Sequence, residues 1–185
     1  TYPYVLVFSV HTKGALTAVR QISEMKVDVK MLAMTHCDAA KLSKMHGKAS
    51  EYALCASQWH KSLSYKDDFF KDGTTYDADF TKAFGYAPPY QAAESSAALL
   101  VFKDAFERAQ SFDTKKVRDA LAATDMQTFY GNIKFAAGGQ NVSKPMVLFQ
   151  VSCNDDGSKC ENKVVAPTKW ASAELVHPIP SWSKR

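Results

Sequence analysis

The stretch Tyr4-Val-Leu-Val-Phe-Ser-Val10 decides the fold. It is a continuous apolar run of strand length, rich in β-branched residues. A run of that kind reads as a strand buried on both faces, as in a parallel sheet. Working outward, Thr12 or Gly14 opens the next element, in which Leu16, Val19 and Ile22 recur at helical spacing with Met25 one turn on. Residues 31–34 form a second short strand. Residues 39–45 form a short helix stopped by Gly47, a residue suited to the left-handed conformation that ends helices. Residues 52–57 form a third strand that ends at Gln58-Trp59. Strand and helix alternating in this way are the signature of a doubly wound sheet, so the expected class is α/β.

Beyond this unit, residues 60–74 are polar and turn-like, and Asp67-Asp68 reads as a solvated turn. Thr74 or Thr75 caps a helix that runs to Phe84, with Phe80 and Phe84 on one face and Gly85 closing it. Ala87-Pro-Pro89 is a stiff connector into a long helix over residues 91–109, whose stripe is Ala93, Ala97, Leu100, Val101, Ala105 and Ala109. Asp113 suits the N-cap of a shorter helix through Val117 and Leu121. Residues 128–135 and 145–152 read as strands, residues 163–165 return after a hairpin, and the proline-rich tail is extended. Helix and strand alternate up to about residue 140, and strand and loop follow.

The totals exclude several classes. The 185 residues are 46% hydrophobic and 23% charged, ordinary globular composition. The net charge of +4 comes from scattered basic residues, without the basic stripe interleaved with aromatics that marks a nucleic-acid partner. No run approaches the roughly 18 apolar residues of a membrane span. Catalytic motifs are missing too: there is no Gly-x-Ser-x-Gly elbow, no phosphate-cradling glycine loop and no His-Glu-x-x-His, so no enzyme and no cofactor are expected. Asn141-Val-Ser143 matches a glycosylation sequon, relevant only to a secreting eukaryote.

The four cysteines permit two bridges. A hairpin turning at Asp156-Gly157 sets Cys153 opposite Cys160, where hydrogen-bonded partners lie about 5.5 Å apart, within disulfide range. Two free thiols are the alternative. Cys37 and Cys55 fall at or near strand ends, where two ends can meet. A zinc site with His36 lacks a close cysteine pair of ligand spacing. Bridges imply an oxidising compartment.

Several segments together resemble the Leu/Ile/Val-binding family of type I periplasmic solute-binding proteins. They include Arg20-Gln-Ile-Ser-Glu-Met-Lys-Val27, the strand finishing in Gln58-Trp-His60, and Tyr86-Ala-Pro-Pro-Tyr-Gln-Ala-Ala93 leading into Ala97-Ala-Leu-Leu-Val-Phe-Lys-Asp-Ala-Phe-Glu-Arg-Ala109. Val117-Arg-Asp-Ala-Leu121, Thr128-Phe-Tyr-Gly-Asn-Ile-Lys-Phe135, Gly139-Gln-Asn141 and Pro178-Ile-Pro-Ser-Trp182 follow in the same order. The resemblance implies a periplasmic-binding-protein-like I fold with parts of two doubly wound lobes. Residues 1–75 match the later part of the second lobe. Residues 76–135 match the C-terminal helices and strand of the first, and residues 136–185 the crossover and C-terminal return with its hairpin. A full member is about twice as long, so an N-terminal half is expected from the same or a partner chain. The segment that clamps the ligand's α-carboxylate would lie in that half.

In open α/β sheets ligands bind beyond the carboxyl ends of the strands. That rule selects Ser9, Val10 and His11 after the first strand, Thr35 and His36 after the second, and Gln58 and Trp59 after the third. The resemblance places ligand contacts at the first two ends. It implies an aromatic residue where Val10 stands, and where Thr35 stands an acid that accepts the ligand's ammonium. Their replacement leaves room for a polar or aromatic solute other than an amino acid. Tyr90, after the prolines, is the candidate aromatic wall of the pocket, with Glu94 one turn on. The bland alternatives are a core tyrosine, a solvated glutamate, and a tryptophan packed under its loop.

The function implied is the solute-binding component of an ATP-driven importer. Its partners would be a small-molecule ligand and the importer's membrane subunits, and its location periplasmic or extracellular. A receptor ectodomain of the same fold and a non-binding structural subunit or remnant are the alternatives.

Overall fold

The structure is a computed structural model. It describes residues 4–37, 39–144 and 146–185, with Ala39 and Ala40 described by backbone alone. In chain order the elements are β1 (Val5–Phe8), α1 (Thr12–Glu24), β2 (Met31–Met34), α2 (Ala39–His46), β3 (Leu54–Ser57), β4 (Lys66–Asp67), β5 (Lys71–Asp72), α3 (Gly73–Phe84), α4 (Tyr90–Ala109), α5 (Thr114–Ala122), β6 (Asp125–Thr128), β7 (Gly131–Lys134), β8 (Val147–Cys153) and β9 (Cys160–Ala166). They divide into two compact units, Thr1–Ser57 with Val147–Arg185, and Gln58–Met146.

The first unit is a five-stranded sheet in the order β1-β2-β3-β8-β9. The first three strands are parallel, as the β-α-β-α-β pattern requires, and β8 and β9 add antiparallel. Helix α1 buries Ala15, Ala18, Val19 and Ile22, while Met25, just past its end, lies in solvent. Leu42 of α2, Leu32 and Met34 of β2, Cys55 of β3 and Phe149 and Val151 of β8 complete this core, with Leu6 and Phe8 packed against it.

The expectation that β1 is buried on both faces does not hold. Side chains alternate across a strand, and Leu6 and Phe8 take the covered side. Val5 and Val7 point the other way and are 43% and 65% exposed. β1 is an edge strand, and the core cluster that includes α1 and α2 lies on one of its faces only.

The proline-rich tail is extended and anchored. Ile179 enters the core, and Trp182 donates its indole N–H to the Val27 carbonyl at 3.0 Å. Gln150, buried in β8, donates to the carbonyls of Tyr52 (3.2 Å) and Val176 (3.1 Å) and accepts from the Val176 N–H (2.9 Å).

Both cysteine pairs are bridged, Cys37 to Cys55 and Cys153 to Cys160. The β8–β9 register sets Cys153 opposite Cys160. Their Cα atoms are 4.0 Å apart, closer than the wide hydrogen-bonded spacing expected. The Cys153 N–H reaches Glu51 instead, which marks the pair as a narrow, non-hydrogen-bonded one. The turn closes one step earlier than Asp156-Gly157 alone would, from the Gly157 N–H to the Asn154 carbonyl (3.0 Å), with Gly157 at φ 70°.

In the second unit Asp72, not a threonine, caps α3, its carboxylate accepting the Thr75 N–H at 2.8 Å. Gly85 closes that helix in the left-handed conformation (φ 78°), and Asp113 caps α5 by accepting from Lys116 N–H. Helix α4 buries Ala93, Ala97, Leu100, Val101 and Ala105. The single strand expected over residues 128–135 is a hairpin, β6–β7. Phe129-Tyr130 reverses the chain, Gly131 follows at φ 146° as the first residue of β7, and the Thr128 hydroxyl donates to its carbonyl at 2.9 Å. Pro145, where the next strand was expected to begin, lies outside the described residues, and β8 starts at Val147.

Asp67 departs most from its sequence reading. Its carboxylate accepts the N–H groups of Phe69 (2.9 Å), Phe70 (2.7 Å) and Phe129 (2.6 Å), which makes it an anchor and not a solvated turn.

Candidate functional site

In the first unit, the sequence-selected residues gather at the carboxyl ends of β1 and β2. The Thr35 hydroxyl accepts the Val10 N–H at 3.0 Å and donates to the Val10 carbonyl at 3.1 Å. The Thr35 N–H continues the ladder to the Phe8 carbonyl at 3.0 Å. His11 is the N-cap residue of α1 and makes no side-chain cap bond. His36 sits in the left-handed region at φ 49°, and its carbonyl accepts the Thr12 hydroxyl at 3.1 Å. The two imidazoles are neighbours, with ring centroids 4.8 Å apart, and both residues are exposed. Val10 is half-buried beside the core, and Ser9 is exposed.

In the second unit, Trp59 is buried. Its ring stands edge-on to Tyr76 (5.8 Å) and Phe129 (6.1 Å), inside an aromatic cluster that also holds Phe70. Tyr90 is the first residue of α4 and half-buried, and Glu94 is exposed one turn on. Glu94 lines an open cavity of about 860 Å³ together with Gln58, Val101, Arg118, Tyr130 and Lys144.

Lys144 and Tyr130 were not singled out from the sequence. The Lys144 amine donates to the Gln58 carbonyl and lies 4.3 Å from the Tyr130 ring centroid, a cation–π contact. Burial pushes the ammonium down to about 8, against the opposing pull of Glu94. Burial, then the charges of Glu94 and Tyr90, push the Tyr130 phenol above its ordinary range. Two of the predicted residues, Tyr90 and Glu94, thus share an electrostatic neighbourhood with Tyr130. Gly131 is the one trace of this pair in the sequence, because a Cβ there would collide with the Lys144 side chain.

The lysine gives a pH prediction with a definite sign. Its folded proton affinity is below the unfolded one, so between the two the unfolded state holds more protons and stability rises with pH. Unfolding free energy is expected to climb from about pH 8. It should turn down above about pH 10, where the unfolded tyrosine ionises and the buried Tyr130 does not. Lys144→Met should flatten the climb. Urea titrations at stepped pH measure both, and a profile identical in the two proteins refutes the assignment.

A family model described as periplasmic binding protein matches residues 3–158. The chain belongs to this family. Solved structures with the same fold include a leucine-binding protein from Thermotoga maritima, 20% identical with a TM-score of 0.71 over 89% of this chain and 45% of that one. Others are a putative branched-chain amino-acid transporter protein from Silicibacter pomeroyi (16%, TM-score 0.68, 95% and 47%) and a substrate-binding protein from Desulfitobacterium hafniense in complex with Leu (17%, TM-score 0.61, 88% and 43%). The chain therefore spans less than half the length of each of these proteins. Its fold is the expected one, α/β of the type I periplasmic-binding class.

Proposed function

We propose that the chain is part of the solute-binding component of an ABC importer, working in the periplasm or outside the cell. It takes an amino acid or a related small polar or aromatic solute by closure of two lobes and delivers it to the importer's membrane subunits. The family match over residues 3–158 carries this reading. In it, residues 1–75 belong to the later part of the second lobe, 76–135 to the end of the first, and 136–185 to the crossover and return. The same chain or a partner supplies the N-terminal half, which holds the first-lobe sheet and the start of the second lobe. The candidate solute contacts are Val10, His11, Thr35 and His36 at the strand ends of the first unit and Tyr90 and Glu94 in the second, while Trp59, buried in the aromatic cluster, takes the packing alternative. Among the described residues no helix is long and apolar enough to cross a membrane.

The test uses the full-length natural protein, a panel of amino acids and aromatic acids, small-angle scattering and thermal melting. A ligand that favours the closed state compacts the molecule and stabilises it, by about 2.7 kcal/mol at a hundredfold excess over Kd. A panel that leaves radius and melting temperature unchanged sinks the reading.

One observation favours a non-binding structural subunit instead. The Thr35 hydroxyl is spent on the Val10 backbone, and Val10 brings no polar side chain, so neither supplies a charge for a ligand. A ligand-filled, closed state would eliminate that alternative.

A further inference from the structure

The ends of β1 and β2 are tied together at several points, and the ties present two side chains outward. The Thr35 hydroxyl has one proton, and it is spent on the Val10 carbonyl while the oxygen accepts the Val10 N–H. The Thr12 hydroxyl holds the His36 carbonyl, and the bridge from Cys37 to Cys55 fixes the next residue to β3. Cys37 and Cys55 are buried, so the loop leaves the core on a rigid footing. His11 and His36 face solvent beside the exposed Ser9 and Lys13, with their ring centroids 4.8 Å apart. Among the described residues neither imidazole has a hydrogen-bond or ion-pair partner, and neither has an interaction beyond the contact between the two rings.

We propose that His11 and His36 form a paired donor site for the carboxylate of the solute, with Thr35 and the Cys37–Cys55 bridge as its positioning elements. The inference rests on the solute-binding reading above and narrows its ligand to an acid that needs no ammonium group, its carboxylate held at these strand ends and not by the clamp expected in the N-terminal half. Each imidazole keeps at least one N–H donor when neutral and two when protonated. Two neighbouring imidazoles can offer one donor to each oxygen of a carboxylate, and hydrogen bonds to an ionised acceptor are the strong ones. Within residues 9–13 and 35–37 the titratable side chains are His11, Lys13 and His36, with no acid. An ammonium would find no anionic partner among them. Asp38 follows in the sequence and lies outside the described residues, so it enters the test directly. Thr35 is a positioning residue here, since its donor is consumed by backbone.

The experiment is calorimetric titration of the full-length natural protein with four probes: leucine, 4-methylpentanoate (leucine without its amine), 3-methylbutylamine (leucine without its carboxylate) and benzoate. The expected result is binding of at least one of the two simple carboxylates and none of the amine. His11→Ala and His36→Ala should each weaken the carboxylate by about tenfold or more without moving the melting temperature of the free protein. Thr35→Val should weaken it as well, Thr35→Ser should restore it, and Asp38→Asn should leave it unchanged. Binding of the amine, or loss on Asp38→Asn with neutral histidine variants, overturns the proposal. So does an absence of binding by all four probes, which leaves the importer reading to the wider panel. If a carboxylate binds and compacts the protein while both histidine variants are neutral, the paired site falls and the importer reading stands.

Discussion

Phe129→Ala is expected to destabilise the second unit by about 3–5 kcal/mol, the usual cost of truncating a fully buried aromatic. Phe129 has no exposed surface and is the largest fully buried side chain among the described residues. Its ring stacks on Tyr76 with centroids 4.3 Å apart and meets Phe70 at 5.0 Å and Trp59 at 6.1 Å. Aromatic pairs contribute about 0.5–1.5 kcal/mol each beyond burial, so losing three contacts adds to the cavity left behind. Phe129→Leu keeps most of the volume and loses only the ring geometry, and is expected to cost less. Tyr76→Phe should cost about 1 kcal/mol, because it retains the stack and removes the hydroxyl that meets Ser96 at 2.9 Å. Chemical denaturation followed by near-ultraviolet circular dichroism reads these steps in order. A Phe129→Ala penalty below about 1 kcal/mol would mean that the cluster collapses onto the gap and is not the core of this unit.

How much of this was legible follows from where each signal resides. Periodicity located α1, α4 and the three parallel strands, because a buried stripe or run is written directly in residue order. The caps at Gly85 and Asp113 were equally visible, each being a one-residue requirement of backbone geometry. The exposure of Val5 and Val7 was not legible, since composition shows that a strand is apolar but not how many layers cover it. The β6–β7 hairpin was missed because its two loop residues are not Asn-Gly or Asp-Gly but the aromatic pair Phe129-Tyr130. The strand-end rule selects His11 and His36 as candidates. The contact between their rings depends on a left-handed residue and a disulfide, and no spacing encodes either. Lys144 is 86 positions from Gln58, so their contact has no local sequence signal at all.

Asp67→Ala is the second large effect, expected to cost about 3 kcal/mol. One exposed and two half-buried backbone donors converge on one carboxylate, and a hydrogen bond to a charged group contributes about 1.5–3 kcal/mol where water does not replace it. The Phe69 N–H is the most exposed of the three and recovers water, so it contributes least. The Phe129 N–H belongs to a residue with no exposed surface and recovers nothing. Asp67→Asn should cost less than alanine, because one oxygen still serves Phe69 and Phe70, while the new amide turns a donor toward the Phe129 N–H. Asp68→Ala is the internal control, expected within about 0.5 kcal/mol because that residue is exposed. The two large predictions are not independent. Asp67 holds the backbone of the residue whose ring fills the core, so a double-mutant cycle with Phe129→Ala should show a coupling of about 0.5–3 kcal/mol. The coupling extends toward the cavity, since the next residue, Tyr130, carries the Lys144 amine over its ring. Loosening Asp67 should therefore also raise the lysine's depressed proton affinity toward its ordinary value and shrink the climb in stability above pH 8. If Asp67→Ala proves as mild as Asp68→Ala, the turn holds itself, and Asp67 is the solvated carboxylate that its sequence suggests.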